Sequence, residues 1–178
     1  MLPLFASCGE PMRGIAIGDA EPAPPLQLTA FDGARFDIAA HKGSVVLVYF
    51  GYTHCPDVCP TTLSDWAKAR RALEDDSAKV KFVFVSVDPE RDTPELAQVY
   101  ARQFDRAFIG LSGTVEEIES LKTAWNIAAY PEGDTRGRAY SVAHPAYTFV
   151  VGRDGRLRYL YEPGVRSEDL AKDLRKLL

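Results

Sequence analysis

An α/β fold, with a mixed sheet flanked by helices, is predicted by three features of this chain. Val45-Val46-Leu47-Val48-Tyr49-Phe50 is continuously apolar and β-branched, as a strand buried on both faces is, and Val80 to Val87 reads as a second buried strand. Amphipathic stretches with helical spacing alternate with them. Two short apolar runs, Tyr147 to Val151 and Leu157 to Tyr161, flank the turn Gly152-Arg153-Asp154-Gly155 and close the chain as a hairpin. The order β-α-β-α-(β)-α-β-β-α argues a mixed sheet with helices on both faces.

Residues 1–25 carry Gly and Pro with little periodicity and end in Glu21-Pro22-Ala23-Pro24-Pro25, so they read as a tether to a domain spanning 26–178. Leu26 to Thr29 reads as a first strand, and Phe31-Asp32-Gly33-Ala34-Arg35-Phe36 as a hairpin turning at Asp32-Gly33. After the first buried strand, Leu63, Trp66, Ala67 and Leu73 mark one helical face. Leu96, Val99, Tyr100 and Phe104 stripe a second helix, opened by Asp92-Thr93-Pro94-Glu95, and Asp92 or Thr93 can cap it. Ala107 to Leu111 is a short strand. Thr114-Val115-Glu116-Glu117 fits a capping box, and its helix is expected to bury Val115, Ile118, Leu121 and Trp125. Asn126 to Val142 is polar, with turns at Gly133-Asp134 and Arg136-Gly137, and reads as an inserted hairpin. Ser167 is expected to cap a last helix with Leu170, Leu174 and Leu177 inward.

Composition removes several classes. The 178 residues suffice for one domain with a sizeable core, and no apolar run reaches the roughly 18 residues of a membrane span. A net charge of −4 gives no sign of a nucleic-acid binder. Three cysteines are too few for a disulfide scaffold. One of them, Cys8, ends Leu4-Phe5-Ala6-Ser7-Cys8, which resembles the end of a bacterial lipoprotein signal. A complete signal carries a longer apolar stretch, so lipid on Cys8 and a free thiol both stay open.

The chemistry concentrates in Gly51-Tyr52-Thr53-His54-Cys55-Pro56-Asp57-Val58-Cys59-Pro60-Thr61-Thr62. A dithiol at the end of a buried strand, opening a helix, makes the sheet resemble the thioredoxin fold. Pro60 suits the first helical position, which puts Cys59 near the N-cap, where free N–H groups and the helix dipole lower a thiol pKa. Three residues between the cysteines let both sulfurs converge on one ion and still allow a disulfide.

Three histidines could supply a third ligand. His54 adjoins Cys55, so its side chain is expected to point away from an ion held there. His41 lies in a turn and is expected at the surface. His144 stands just before the strand Tyr147 to Val151, and Pro145 biases it to an extended backbone. In thioredoxin-like folds the loop leading into this strand faces the dithiol, so His144 can reach the sulfurs. Two thiolates and one imidazole suit Cu(I), and Cu(II) with an added ligand. A structural zinc site would want a fourth protein ligand.

These residues resemble the Sco/SenC family of copper chaperones for cytochrome c oxidase assembly. The likeness rests on the cysteine block, on Val87-Asp88-Pro89-Glu90-Arg91-Asp92-Thr93-Pro94 and on His144, and extends from about residue 25 to 178. It implies a thioredoxin-like, membrane-tethered protein at the periplasmic face of the bacterial inner membrane. It implies Cu(I) or Cu(II) bound by Cys55, Cys59 and His144, with the copper-bearing oxidase subunit and other copper chaperones as partners. Members of that family often have an acidic residue before the histidine and serine after it. Ala143 and Pro145 stand here, and prolines in this loop of the fold are often cis, which makes His144–Pro145 a candidate.

Copper delivery competes with a thiol–disulfide oxidoreductase that uses Cys55 and Cys59 as a redox pair and has no need of His144. A peroxidase of the peroxiredoxin type would carry threonine three residues before the reactive cysteine. Tyr52 holds that place before Cys55. A purely structural disulfide is the remaining reading, and it leaves the helix-terminal placement of the thiols without purpose.

Overall fold

The computed structural model describes residues 11–18, 21–134 and 139–178. Cys8 and the Arg136-Gly137 turn lie outside them. The central sheet has the order β1-β10-β9-β4-β5-β6, with β1 Ile15–Ala16, β4 Val45–Gly51, β5 Val80–Ser86, β6 Ile109–Leu111, β9 Thr148–Val151 and β10 Leu157–Tyr161. β4, β5 and β6 are parallel neighbours, while β9 runs antiparallel to β4 and β10 antiparallel to β9. Every residue of β4 is buried, as its unbroken apolar run requires. β2 Gln27–Thr29 and β3 Arg35–Asp37 form the expected hairpin, and β7 Tyr130–Glu132 with β8 Ser141–Ala143 the inserted one.

Helices cover both faces. On one, α1 Val58–Leu73 packs against α4 Ser167–Leu177 and α2 Pro94–Phe104. Trp66 of α1 meets Tyr49, Phe82 and Phe108 there. On the other, Trp125 at the end of α3 Val115–Ala124 packs on Phe50 and Phe149. The capping box of α3 forms as expected, with Thr114 and Glu117 each bonding the other's backbone N–H.

The structure corrects five expectations. Leu96 and Val99 are exposed (48% and 57%), and α2 buries Ala97 and Ala101 instead. Small residues let α2 close onto β6, where Gln98 bonds the Phe108 carbonyl and the Gly110 N–H. Val115 is exposed because it is the first helical residue and clears the sheet. Ser167 is already helical, and Arg166 holds the N-cap position without a side-chain capping bond. His41 is half-buried and stacks on Phe36. The segment read as tether joins the fold: β1 pairs with β10, and the Arg13 N–H bonds the buried Asp173 carboxylate at 2.6 Å. A closing hairpin leaves β10 with an unpaired edge, and this segment covers it.

Topology brings the site together. Parallel β4 and β5 end side by side, Gly51 opposite Ser86, so the loops that follow them meet. β9 begins at that same end, Thr148 opposite Tyr49, and brings the segment before it to the cysteines.

Candidate metal centre

Cys55 lies in the loop after β4 and Cys59 in the first turn of α1. The helix begins at Val58 with Asp57 as N-cap, two residues earlier than the expected N-cap at Cys59. This changes which sulfur the helix terminus serves. The Cys59 backbone N–H points at Cys55 Sγ, 3.5 Å away. The Cys59 thiol proton, shared with Cys55, holds the Cys55 thiol far below its ordinary range. Burial opposes this lowering, and the Asp57 and Cys59 backbone N–H groups act with the thiol proton. The same hydrogen bond and burial push the Cys59 thiol up. Cys55 is therefore the thiolate of the pair, a correction to the expectation for Cys59.

Cys59 is fully buried, and the Tyr49 hydroxyl donates to its sulfur at 3.5 Å. Burial and the neighbouring sulfurs push the Tyr49 phenol up, so it stays a donor. Gly51 makes room for this arrangement: a Cβ there would stand 2.8 Å from Cys59 Sγ and 2.9 Å from the Tyr49 ring.

His144 Nε2 lies 3.6 Å from Cys59 Sγ. Its ring is held edge-on between Tyr49 and Tyr52, with centroids 6.0 and 5.7 Å away. Nδ1 lies 3.3 Å from the Pro145 carbonyl, which can only accept, so that contact places the proton on Nδ1 and leaves the Nε2 lone pair toward the sulfurs. The carbonyl occupies the role expected of an acidic neighbour. No peptide bond is cis among the described residues, so His144–Pro145 is trans, and a trans peptide suffices to bring the ring to the sulfurs.

The donor atoms of Cys55, Cys59 and His144 all lie within 4.8 Å of one another, and they are the sole such group of three among the described residues. A trigonal ion with bonds of about 2.3 Å needs donors roughly 4 Å apart, so this set closes on a soft ion with small adjustments. His54 stays outside it: its Nδ1 faces Thr53 Oγ at 3.1 Å and Asp92 at 3.5 Å. Asp92 is not the helix cap; Thr93 takes that place, accepting from the Leu96 N–H. Asp92, Asp88, Arg91, Tyr140 and Tyr49 surround the three candidate donors without joining them. The Asp-Pro-Glu-Arg-Asp block was the sequence signal for three of these. Nothing in the sequence separates Tyr49 or Tyr140 from core aromatics.

Fold and site together define a thioredoxin-like protein with a cysteine pair and a facing histidine. A sequence profile of the SCO1/SenC family matches residues 16–178, and the chain belongs to that family. It is 31% identical to an SCO2-like protein of Rickettsia prowazekii over 139 residues, 77% of this chain and 68% of that protein. It is 30% identical to the human mitochondrial SCO1 homolog over 152 residues, 84% of this chain and 50% of that protein. Among solved structures, ScoI of Bradyrhizobium japonicum with copper bound is 37% identical, with a TM-score of 0.81 over 89% of this chain and 100% of that one. Apo Sco1 of Thermus thermophilus is 36% identical, with a TM-score of 0.85 over 94% and 98%.

Proposed function

We propose that this protein binds one copper ion through Cys55 Sγ, Cys59 Sγ and His144 Nε2 and delivers it to the binuclear copper centre of cytochrome c oxidase. The observation that carries the binding step is the convergence of three soft donors within 4.8 Å. Copper bound to the related ScoI of Bradyrhizobium japonicum supports the choice of ion. Two thiolates and an imidazole hold Cu(I) with an open side, where a thiol of the acceptor can attack as a ligand here departs. We take the copper-bearing oxidase subunit and other copper chaperones as partners and the periplasmic face of the inner membrane as compartment, and kinship with the SCO1/SenC family supports the copper chemistry this needs. No helix among the described residues is long and apolar enough to cross a membrane, and we place attachment in the N-terminal segment. Mass spectrometry of protein from its native membrane tests lipid on Cys8; an unmodified Cys8 rules that anchor out.

A second reading, reduction of the acceptor's disulfide, is favoured by the unlike surroundings of the two thiols. Cys55 attacks as thiolate to form a mixed disulfide, and Cys59 then displaces the acceptor as a dithiol, leaving Cys55–Cys59 oxidised. His144 separates the two readings. Anaerobic titration of the reduced protein with Cu(I) against a chromogenic chelator is expected to give one tightly bound equivalent. Cu(II) is expected to give a thiolate-to-copper charge-transfer band and a nitrogen contribution in EPR. His144→Ala should lose tight binding while its reduction of a small-molecule disulfide persists. Unchanged copper affinity in that variant rejects the three-ligand site.

A further inference from the structure

The segment Val87 to Pro94 supplies no ligand, yet it touches both halves of the site. Asp92 is fully buried, and its carboxylate accepts from the Thr53 N–H at 2.8 Å, the Thr53 hydroxyl at 2.6 Å and the Ser86 hydroxyl at 2.6 Å. Its own backbone is fixed as well, through the Asp88 carbonyl at 2.9 Å and the Ser112 hydroxyl at 2.6 Å. Thr53 stands two residues before Cys55, so this carboxylate pins the cysteine loop to the end of β5.

The adjacent residue reaches the other half. The buried Arg91 side chain pairs through Nε with Asp88 and donates to the Tyr140 carbonyl at 2.8 Å. Its guanidinium lies 3.6 Å from the Tyr140 ring centroid, and the Tyr140 hydroxyl closes the circuit on Asp88 at 2.8 Å. Tyr140 stands immediately before β8, and His144 immediately after it. The guanidinium also lies 5.6 Å from the ring of Tyr52, which packs on His144.

The arm needs such a clamp. β7 and β8 form a two-stranded sheet of their own and do not join the central one. A lone two-stranded hairpin is at best marginally stable in water. Its sheet pairing therefore cannot hold the imidazole in place against the cysteines.

We infer that Asp92 and Arg91 are positioning residues for copper: Asp92 sets the cysteine loop through Thr53, and Arg91 with Asp88 and Tyr140 sets the arm bearing His144. The inference rests on the three-ligand reading above. One short turn then references both halves of the site, and separate substitutions disturb them separately.

The test uses the full chain and two readouts: Cu(I) affinity with the Cu(II) spectrum, and the dithiol–disulfide equilibrium against glutathione. Tyr140→Leu removes the ring and hydroxyl from a half-buried position and leaves the Arg91–Asp88 pair. It is expected to weaken copper binding about 10–100-fold and diminish the nitrogen contribution in EPR. Its dithiol equilibrium should move by less than about twofold. Arg91→Lys keeps the charge but loses the planar stack and fork, and should act in the same direction. Asp92→Asn should shift both readouts. Wild-type protein that ignores copper would overturn the three-ligand reading and this inference together. Copper-binding wild type with Tyr140→Leu and Arg91→Lys equally tight and spectrally unchanged would overturn the inference alone. Both readouts shifting in parallel in every variant would reduce the segment to general structural support and also overturn it.

Discussion

At the scale of single residues, Cys55 and Cys59 carry the same group into different surroundings. Cys59 has no exposed surface, and its sulfur lies against Tyr49 and His144. Cys55 is 9% exposed at the rim and takes the helix N–H. Only the thiolate is nucleophilic, and Cys55 holds that form. One equivalent of iodoacetamide on reduced, metal-free protein should therefore label Cys55 at least about tenfold more than Cys59. Fragment-ion mass spectrometry of the peptide bearing both reads the ratio, and predominant label on Cys59 would reverse the assignment. The convergence of Cys55, Cys59 and His144 was legible in the sequence, because three histidines and one cysteine pair leave few combinations and Pro145 restricts one of them. Which sulfur ionises was not legible. It turns on whether α1 starts at Val58 or Pro60, and helix starts shift by a residue or two with the local caps.

Elements succeed or fail in prediction by what they pack against. β4 was plain because a strand buried on both faces needs an unbroken apolar run, and β5 departs from one only at Lys81 and Ser86. α2 was misread at its face: Leu96 and Val99 look like a core stripe, but the contact is made by Ala97, Ala101 and Gln98. Periodicity counts large apolar residues, whereas a close approach selects small ones. Gly110 in β6 is the partner of that approach. A Cβ there would lie 2.1 Å from the Ala97 carbonyl oxygen, a backbone atom that cannot swing aside. Gly110→Ala should force α2 off the sheet edge and destabilise the fold by about 1–3 kcal/mol or more, as overpacking does. Urea unfolding measures this. A midpoint within error of wild type would mean that α2 slides over β6 more freely than its backbone contact allows.

Over the whole molecule, the two ends of the sheet carry separate duties. The three candidate donors gather where β4 and β5 end and β9 begins, while the N-terminal segment closes the β10 edge, two strands from β4. The sequence hid this closure because β1 is only two residues long and exposed. Its attachment is mostly backbone: Ile17 N–H to Arg158, Ala23 N–H to Gly155 and Leu157 N–H to Glu21, with Arg13 N–H on Asp173. Backbone pairing leaves almost no compositional trace. Gly14 alone hints at it, since a Cβ would stand 2.7 Å from the Tyr161 ring. Removing residues 1–25 should cost about 3–9 kcal/mol, from four hydrogen bonds at about 0.5–1.5 kcal/mol each and one buried carboxylate short of a donor at about 1–3 kcal/mol. Denaturant unfolding of the shortened chain reads that loss, and an unchanged midpoint would return the segment to the standing of a tether. Copper affinity in the same chain should match wild type, because neither the cysteine loop nor the arm of His144 touches β1. Loss of copper binding together with stability would show that the far edge of the sheet governs the site after all.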